Sequence, residues 1–222
     1  MTAAMGIQAG RLDYDPLLAF ARHPDDPLTR AFASAIELAR SSSRSSGRVM
    51  LGLPPADFIT LIDRYFPGAQ ATYATMSQEV GAEGCPGFRL DEFGDLVQLL
   101  LDHRSDDSVE SHWLAHAIAM ASLGDDHLWQ DMGLPNRQVL SDLLKRHFTA
   151  LADKNTGNMR WKKFFYKQLC ERSGAFVCRA PSCAVCIDYH KCFGPETSDV
   201  EEWLRTIRVV KAFGSEERHV KT

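Results

Sequence analysis

Apolar residues recur at three- and four-residue intervals along most of the chain, and the stripes they form divide it into helices. Leu90, Phe93, Val97, Leu100 and Leu101 make one stripe, and Val109, Trp113, Ala117, Met120 and Leu123 make the next. Val139, Leu140, Leu143, Leu144, Phe148 and Leu151 make a third. Upstream, Asp26 followed by Pro27 reads as a helix start, an acceptor for a free amide and then a residue that tolerates the first turn. Leu28, Phe32, Ile36 and Ala39 follow on one face. Another helix starts after Pro54 and Pro55, carries Phe58, Leu61, Ile62 and Phe66, and stops at Pro67 and Gly68. A short helix is expected from Asp15 to Arg22, ended by His23 and Pro24. No stretch sustains the period-two alternation of a sheet. The pattern predicts an all-α fold, a bundle of roughly six to eight helices whose apolar stripes form the core.

The intervening segments break this pattern in readable ways. Ser41 to Gly47 is a serine-rich loop, and the glycine-rich patch from Gly81 to Gly87, which includes Cys85, reads as a turn. That patch lacks the strand, Lys and Ser/Thr positions of a phosphate loop. From Asn158 to Glu171 a helix can bury Trp161, Phe164, Phe165 and Leu169 while Lys162, Lys163, Lys167 and Arg172 project elsewhere. Ser198 with Glu201 forms a capping box for a last helix bearing Val200, Trp203, Leu204, Ile207 and Val210. Residues 1–11 are expected to be disordered and 214–222 to be a mobile tail. Between them lies a single helical domain, 12–213, with a cysteine loop at 178–195 before the last helix.

Composition narrows the choice of function. The chain has 222 residues and a net charge of -4, without the basic signature of a nucleic-acid-binding domain. No apolar run approaches the roughly 18 residues of a membrane span, and the opening MTAAMGIQAGRLDYD lacks secretory-signal regions. A cytoplasmic protein is expected, in which thiols stay reduced.

The chemistry concentrates in the cysteines. Four of the six lie between Cys178 and Cys192, in the spacing Cx4Cx2Cx5C: Cys178, Cys183, Cys186 and Cys192. Pro181 breaks any helix between the first two, so the segment loops and can aim its sulfurs at one centre. Crowded thiolates repel unless a metal or cluster neutralises them, which couples occupancy to local folding. Structural zinc favours paired CxxC units, and here only Cys183 and Cys186 form one. The Cx4Cx2C opening matches the start of a plant-type iron-sulfur loop. Spacing favours an iron-sulfur centre over zinc, with a disulfide framework as the remaining reading.

This cysteine block is followed by Phe193, Gly194, Pro195 and Glu196 and preceded by Arg160, Trp161, Lys162, Lys163, Phe164, Phe165 and Tyr166. In that form it resembles the NifQ family of nitrogen-fixation proteins, as does the segment His127, Leu128, Trp129, Gln130, Asp131, Met132, Gly133. The resemblance implies a molybdenum-iron-sulfur protein that takes up molybdenum, from molybdate or another source, and donates it for biosynthesis of the nitrogenase iron-molybdenum cofactor. It also implies the scaffold NifEN and the iron protein NifH as recipients. The rival readings are a zinc-stabilised helical interaction protein and an iron-sulfur electron carrier.

No nucleophile-base pair or acid-base dyad is made specific by the sequence, so an enzyme is not expected. His112 and His116 are four apart on one helix face, bracketed by His103 and His127. Trp113 stands where a zinc peptidase needs Glu. The plain reading is hydrogen-bonded histidines at a helix contact, and the functional one an accessory site for molybdate or the cluster. Cys170 reads as a small buried hydrophobe rather than a fifth ligand. Lys162, Lys163, Lys167, Arg172, Arg179 and Lys191 put six cations near the thiols, a basic rim suited to an anionic cluster or to molybdate.

Overall fold

The computed structural model describes residues 16–42, 50–71, 73, 90–174, 186, 189–194 and 196. Their regular structure is helical throughout, without a strand. After a 3-10 turn at Leu18–Phe20 come α1 (Pro27–Ser42), α2 (Pro55–Tyr65), α3 (Leu90–Leu101) and α4 (Val109–Ser122). Then follow α5 (Leu128–Asp131), α6 (Arg137–His147), α7 (Thr149–Ala152), α8 (Trp161–Ser173) and α9 (Tyr189–Cys192). The all-α expectation holds for these residues. The single-turn helices α5 and α9 were not signalled by periodicity. The expected last helix, the glycine patch with Cys85 and both chain ends lie outside the described residues.

Local chemistry sets the helix starts. Asp26 Oδ2 accepts the Thr29 amide at 3.0 Å ahead of α1, and Asn136 Oδ1 accepts the Val139 amide at 3.1 Å ahead of α6. Ser108 Oγ takes the Ser111 amide at 3.2 Å at the head of α4. Each such cap satisfies an amide that would otherwise lack a helical partner and is worth about 1 kcal/mol.

α4 is the axis of the bundle. It is buried on every side from Trp113 to Ser122, as expected for a helix apolar all round, and it packs against α1, α3 and α5. Ala115, Ala117, Ala119 and Ala121 keep its surface shallow, so neighbouring helices approach closely. Phe32 of α1, Tyr65 of α2 and Trp113 of α4 meet edge to face, with centroids 4.9 to 6.5 Å apart. Each buried ring or branched side chain contributes roughly 1.5 to 3 kcal/mol. Val109, the first residue of the expected stripe, is instead exposed in the first turn.

The third stripe is not one helix. It breaks at Phe148, whose backbone leaves the helical region (φ -140°, ψ 50°). Ser105 explains the break. Its amide donates to the His147 carbonyl at 2.8 Å, and its Oγ accepts the Thr149 amide at 2.9 Å, so α6 ends on one residue of the α3–α4 connection and α7 begins there.

Candidate metal centre

α8 buries Trp161, Phe164 and Phe165 and runs to Gly174. Cys178 and Cys183 lie outside the described residues, whereas Cys186 and Cys192 are described and half-buried. These two bracket α9. The Tyr189 amide donates to the Cys186 carbonyl at 3.1 Å, and the Phe193 amide to the Tyr189 carbonyl at 2.9 Å. The Tyr189 and Phe193 rings stack with centroids 4.4 Å apart, which stiffens the single turn of α9.

This turn is tied to the helical body at three points. The Arg160 amide donates to the Cys192 carbonyl at 2.8 Å. The Phe193 ring lies over Gly157, where an added Cβ would sit 3.2 Å from the ring, so only glycine allows that approach without displacement. Arg137, the first residue of α6, forms an ion pair with Glu196 at 3.4 Å. The same guanidinium donates to the carbonyls of Asn158 at 3.1 Å and Met159 at 2.8 Å. Burial pushes the Arg137 pKa down, Glu196 offsets this, and Arg160 adds to it.

The connection beneath the turn is itself held in shape. Asn155 Oδ1 accepts the Met159 amide and its Nδ2 donates to the Met159 carbonyl, both at 2.8 Å. Asn158 sits at φ 55°, a left-handed conformation that asparagine adopts more readily than most residues. Arg137 and Asn155 were not singled out by sequence reasoning. They are ordinary surface-type residues with no spacing signal, and only the fold brings them beneath the cysteine turn.

The expected basic rim is corrected in part. Lys162 is pinned inward, to Asp131 at 2.5 Å and the Gly124 carbonyl at 2.8 Å. Burial raises the Asp131 pKa, opposed by Lys162. Lys167 pairs with Glu171 at 2.5 Å and Arg172 with Asp102 at 3.0 Å. Three of the six cations are therefore matched by carboxylates: Glu171 lies one turn on in the same helix, as the sequence already shows, whereas Asp131 and Asp102 are brought in by the fold. Arg179 lies outside the described residues, and Lys163 and Lys191 are exposed. Cys170 is half-buried rather than sealed in the core.

The histidines follow their plain reading. His116 Nδ1 lies 2.9 Å from the Leu51 carbonyl and stands beside His112, with ring centroids 5.0 Å apart. His103 Nδ1 lies 2.8 Å from the Leu99 carbonyl, and Lys154 donates to His103 Nε2. Among the described residues, no three His, Cys, Asp or Glu side chains converge as metal ligands. The chemistry of the donors nevertheless fits: Cys186 and Cys192 are partly buried thiols, and as thiolates such groups suit a soft metal or an iron-sulfur core.

A profile of NifQ matches residues 31–194. The chain belongs to the NifQ family. Among its relatives, Protein NifQ of Azotobacter vinelandii is 45% identical over 152 residues, covering 66% of this chain and 78% of the relative. Protein NifQ of Rhodobacter capsulatus is 36% identical over 146 residues, covering 66% and 77%. The Protein NifQ homolog of Sinorhizobium fredii is 39% identical over 143 residues, covering 64% and 60%. No solved structure matches the chain. The NifQ match takes in all of α2 to α9 and therefore both described cysteines of the turn.

Proposed function

We propose that this NifQ-family protein carries molybdenum on an iron-sulfur centre held by Cys178, Cys183, Cys186 and Cys192. It gives the metal up for assembly of the nitrogenase iron-molybdenum cofactor. Family membership supports a role in nitrogen fixation and molybdenum handling. The observation that carries the reading is the fastening of the Cys186–Cys192 turn to a preformed wall of Arg137, Gly157 and Arg160.

Such fastening lowers the ordering cost of bringing thiolates together, since half of the donor loop is held by the helical body. The resident iron-sulfur core would supply sulfide bridges to which molybdenum, the cargo, can be added. Cys186 and Cys192 are half-buried, which would leave a bound centre partly shielded and partly reachable. A carrier needs both properties. NifEN and NifH are the proposed recipients, and molybdate the proposed source. We read the role as carriage rather than catalysis.

Anaerobic purification from molybdate-fed, nitrogen-fixing cells, followed by iron, molybdenum and zinc quantitation, tests this. Iron and molybdenum should co-purify with the native protein and be lost together from Cys183→Ala/Cys186→Ala. Zinc alone in a colourless protein, or a double variant that loads molybdenum normally, refutes the proposal. Iron without molybdenum would point instead to an electron carrier.

A further inference from the structure

The central helix carries a pair of nitrogen donors that the cysteine turn does not use. His112 and His116 lie four residues apart on α4, so both project from one face. His116 Nδ1 lies 2.9 Å from the Leu51 carbonyl. A carbonyl has no proton to give, so Nδ1 carries the proton and Nε2 keeps its lone pair. Metal-ligating histidines are held in this way, one ring nitrogen donating to a fixed acceptor and the other left for the ion. We propose that His112 and His116 form a second metal site, on α4 and not in the cysteine turn, for a late first-row divalent cation such as Zn2+, with water in the remaining positions.

Ring spacing is the first argument. A metal–nitrogen bond of about 2.0 to 2.1 Å puts each ring centre about 3.2 Å from a shared ion. Two imidazoles at square-planar or tetrahedral angles around that ion then stand about 4.5 to 5.2 Å apart. The two rings are 5.0 Å apart, centre to centre. Neutral imidazole suits zinc, nickel and copper better than magnesium or calcium, which take oxygen ligands. No third His, Cys, Asp or Glu among the described residues converges with the pair, so the site is open and its affinity modest.

The backbone that holds His116 is the second argument. Leu51 has φ 55°, in the left-handed region that a residue other than glycine enters at a cost. Gly52 follows at φ 66°, where an added Cβ would stand 2.8 Å from the Phe93 ring and 3.8 Å from His116 Nδ1. The Leu51–Gly52 loop is thus pressed against His116, and its strained backbone aims a carbonyl at one nitrogen. Strain of this kind gathers where a ligand-binding group must be held in a single orientation. Asp57, in the first turn of α2, adds a negative charge that favours a cation at His116. His112, one turn earlier, is the more exposed of the two and gives the ion its way in. A bound cation would bridge successive turns of the helix about which the bundle packs.

Equilibrium dialysis against Zn2+ tests the site, on tag-free full-length protein under anaerobic conditions, both native and as Cys183→Ala/Cys186→Ala. His112→Ala should weaken binding of one Zn2+ per chain about tenfold or more. His116→Gln, which keeps an amide donor for the Leu51 carbonyl, should weaken it similarly. Both losses should persist in the cysteine variant, whose donor loop is broken, and there Zn2+ should raise the Tm only while His112 is present. Iron per chain in otherwise native protein should be unchanged by His112→Ala. Equal Zn2+ affinity with and without the two histidines overturns the proposal. So does loss of iron in His112→Ala, which would assign the pair to the cysteine centre.

Discussion

Acidification should destabilise the bundle, chiefly through the buried ring of His116. His116 lies in the middle of α4, 8% exposed, hydrogen-bonded to the Leu51 carbonyl and edge-on to Phe93. Burial holds its pKa near about 4 instead of 6.5; the Leu51 carbonyl opposes this, the charge of His112 reinforces it, and Asp57 opposes it. In the unfolded chain the ring takes up its proton near the ordinary value. Between pH 6.5 and about 4, therefore, the unfolded state binds more protons, and stability falls as pH falls. At about 1.4 kcal/mol per pH unit, that interval amounts to roughly 3 kcal/mol, a large share of a domain's stability. Above pH 6.5 the ring is neutral in both states and contributes no slope. His147, whose pKa burial also lowers, acts in the same direction, while Asp131, raised by burial, opposes it. A comparison with His116→Gln removes these shared contributions and retains an amide donor for the Leu51 carbonyl. Urea unfolding in reductant, from about pH 7.5 down to about pH 4.5, should show the native protein losing roughly 2 to 3 kcal/mol more than the variant. Parallel declines in the two proteins would refute the reasoning.

Two further predictions concern buried ion pairs. Lys162→Met leaves Asp131 buried without its partner and should cost about 3 kcal/mol, whereas Lys162→Met/Asp131→Leu should recover most of that loss; equal thermal destabilisation of the two variants would rule out the pair as the cause. Arg137→Leu removes the bonds to Asn158, Met159 and Glu196 together. It should lower iron content severalfold while far-UV circular dichroism stays native, and Arg137→Lys, which cannot reproduce the planar fork, should recover only part of the iron. Undiminished metal in Arg137→Leu would show that the clamp does not position the cysteine turn.

The helices were legible because their signals are local. The Asp26–Pro27 start, the Pro54–Pro55 start and the stripes of α3 and α4 each depend on residues within a few turns. The break at Phe148 was not legible, since Ser105 imposes it from the α3–α4 connection, about forty residues away in sequence. The same distinction applies at the candidate site. Thiol spacing is written in one stretch of fifteen residues, but the wall that receives it is assembled from α6, the Asn155–Asn158 turn and the head of α8. The inward turn of Lys162 escaped for the same reason, because its carboxylate partner lies in α5.

The arrangement of α8 has a topological consequence. Its first end accepts Cys192 through Arg160, and its other end delivers the chain to Gly174. Thirteen helical residues span about 20 Å, so the point where Cys192 is fastened and the point where α8 ends are held about that far apart by one rigid helix. The harness at Cys192 is thus anchored at the head of α8, a full helix length from Gly174.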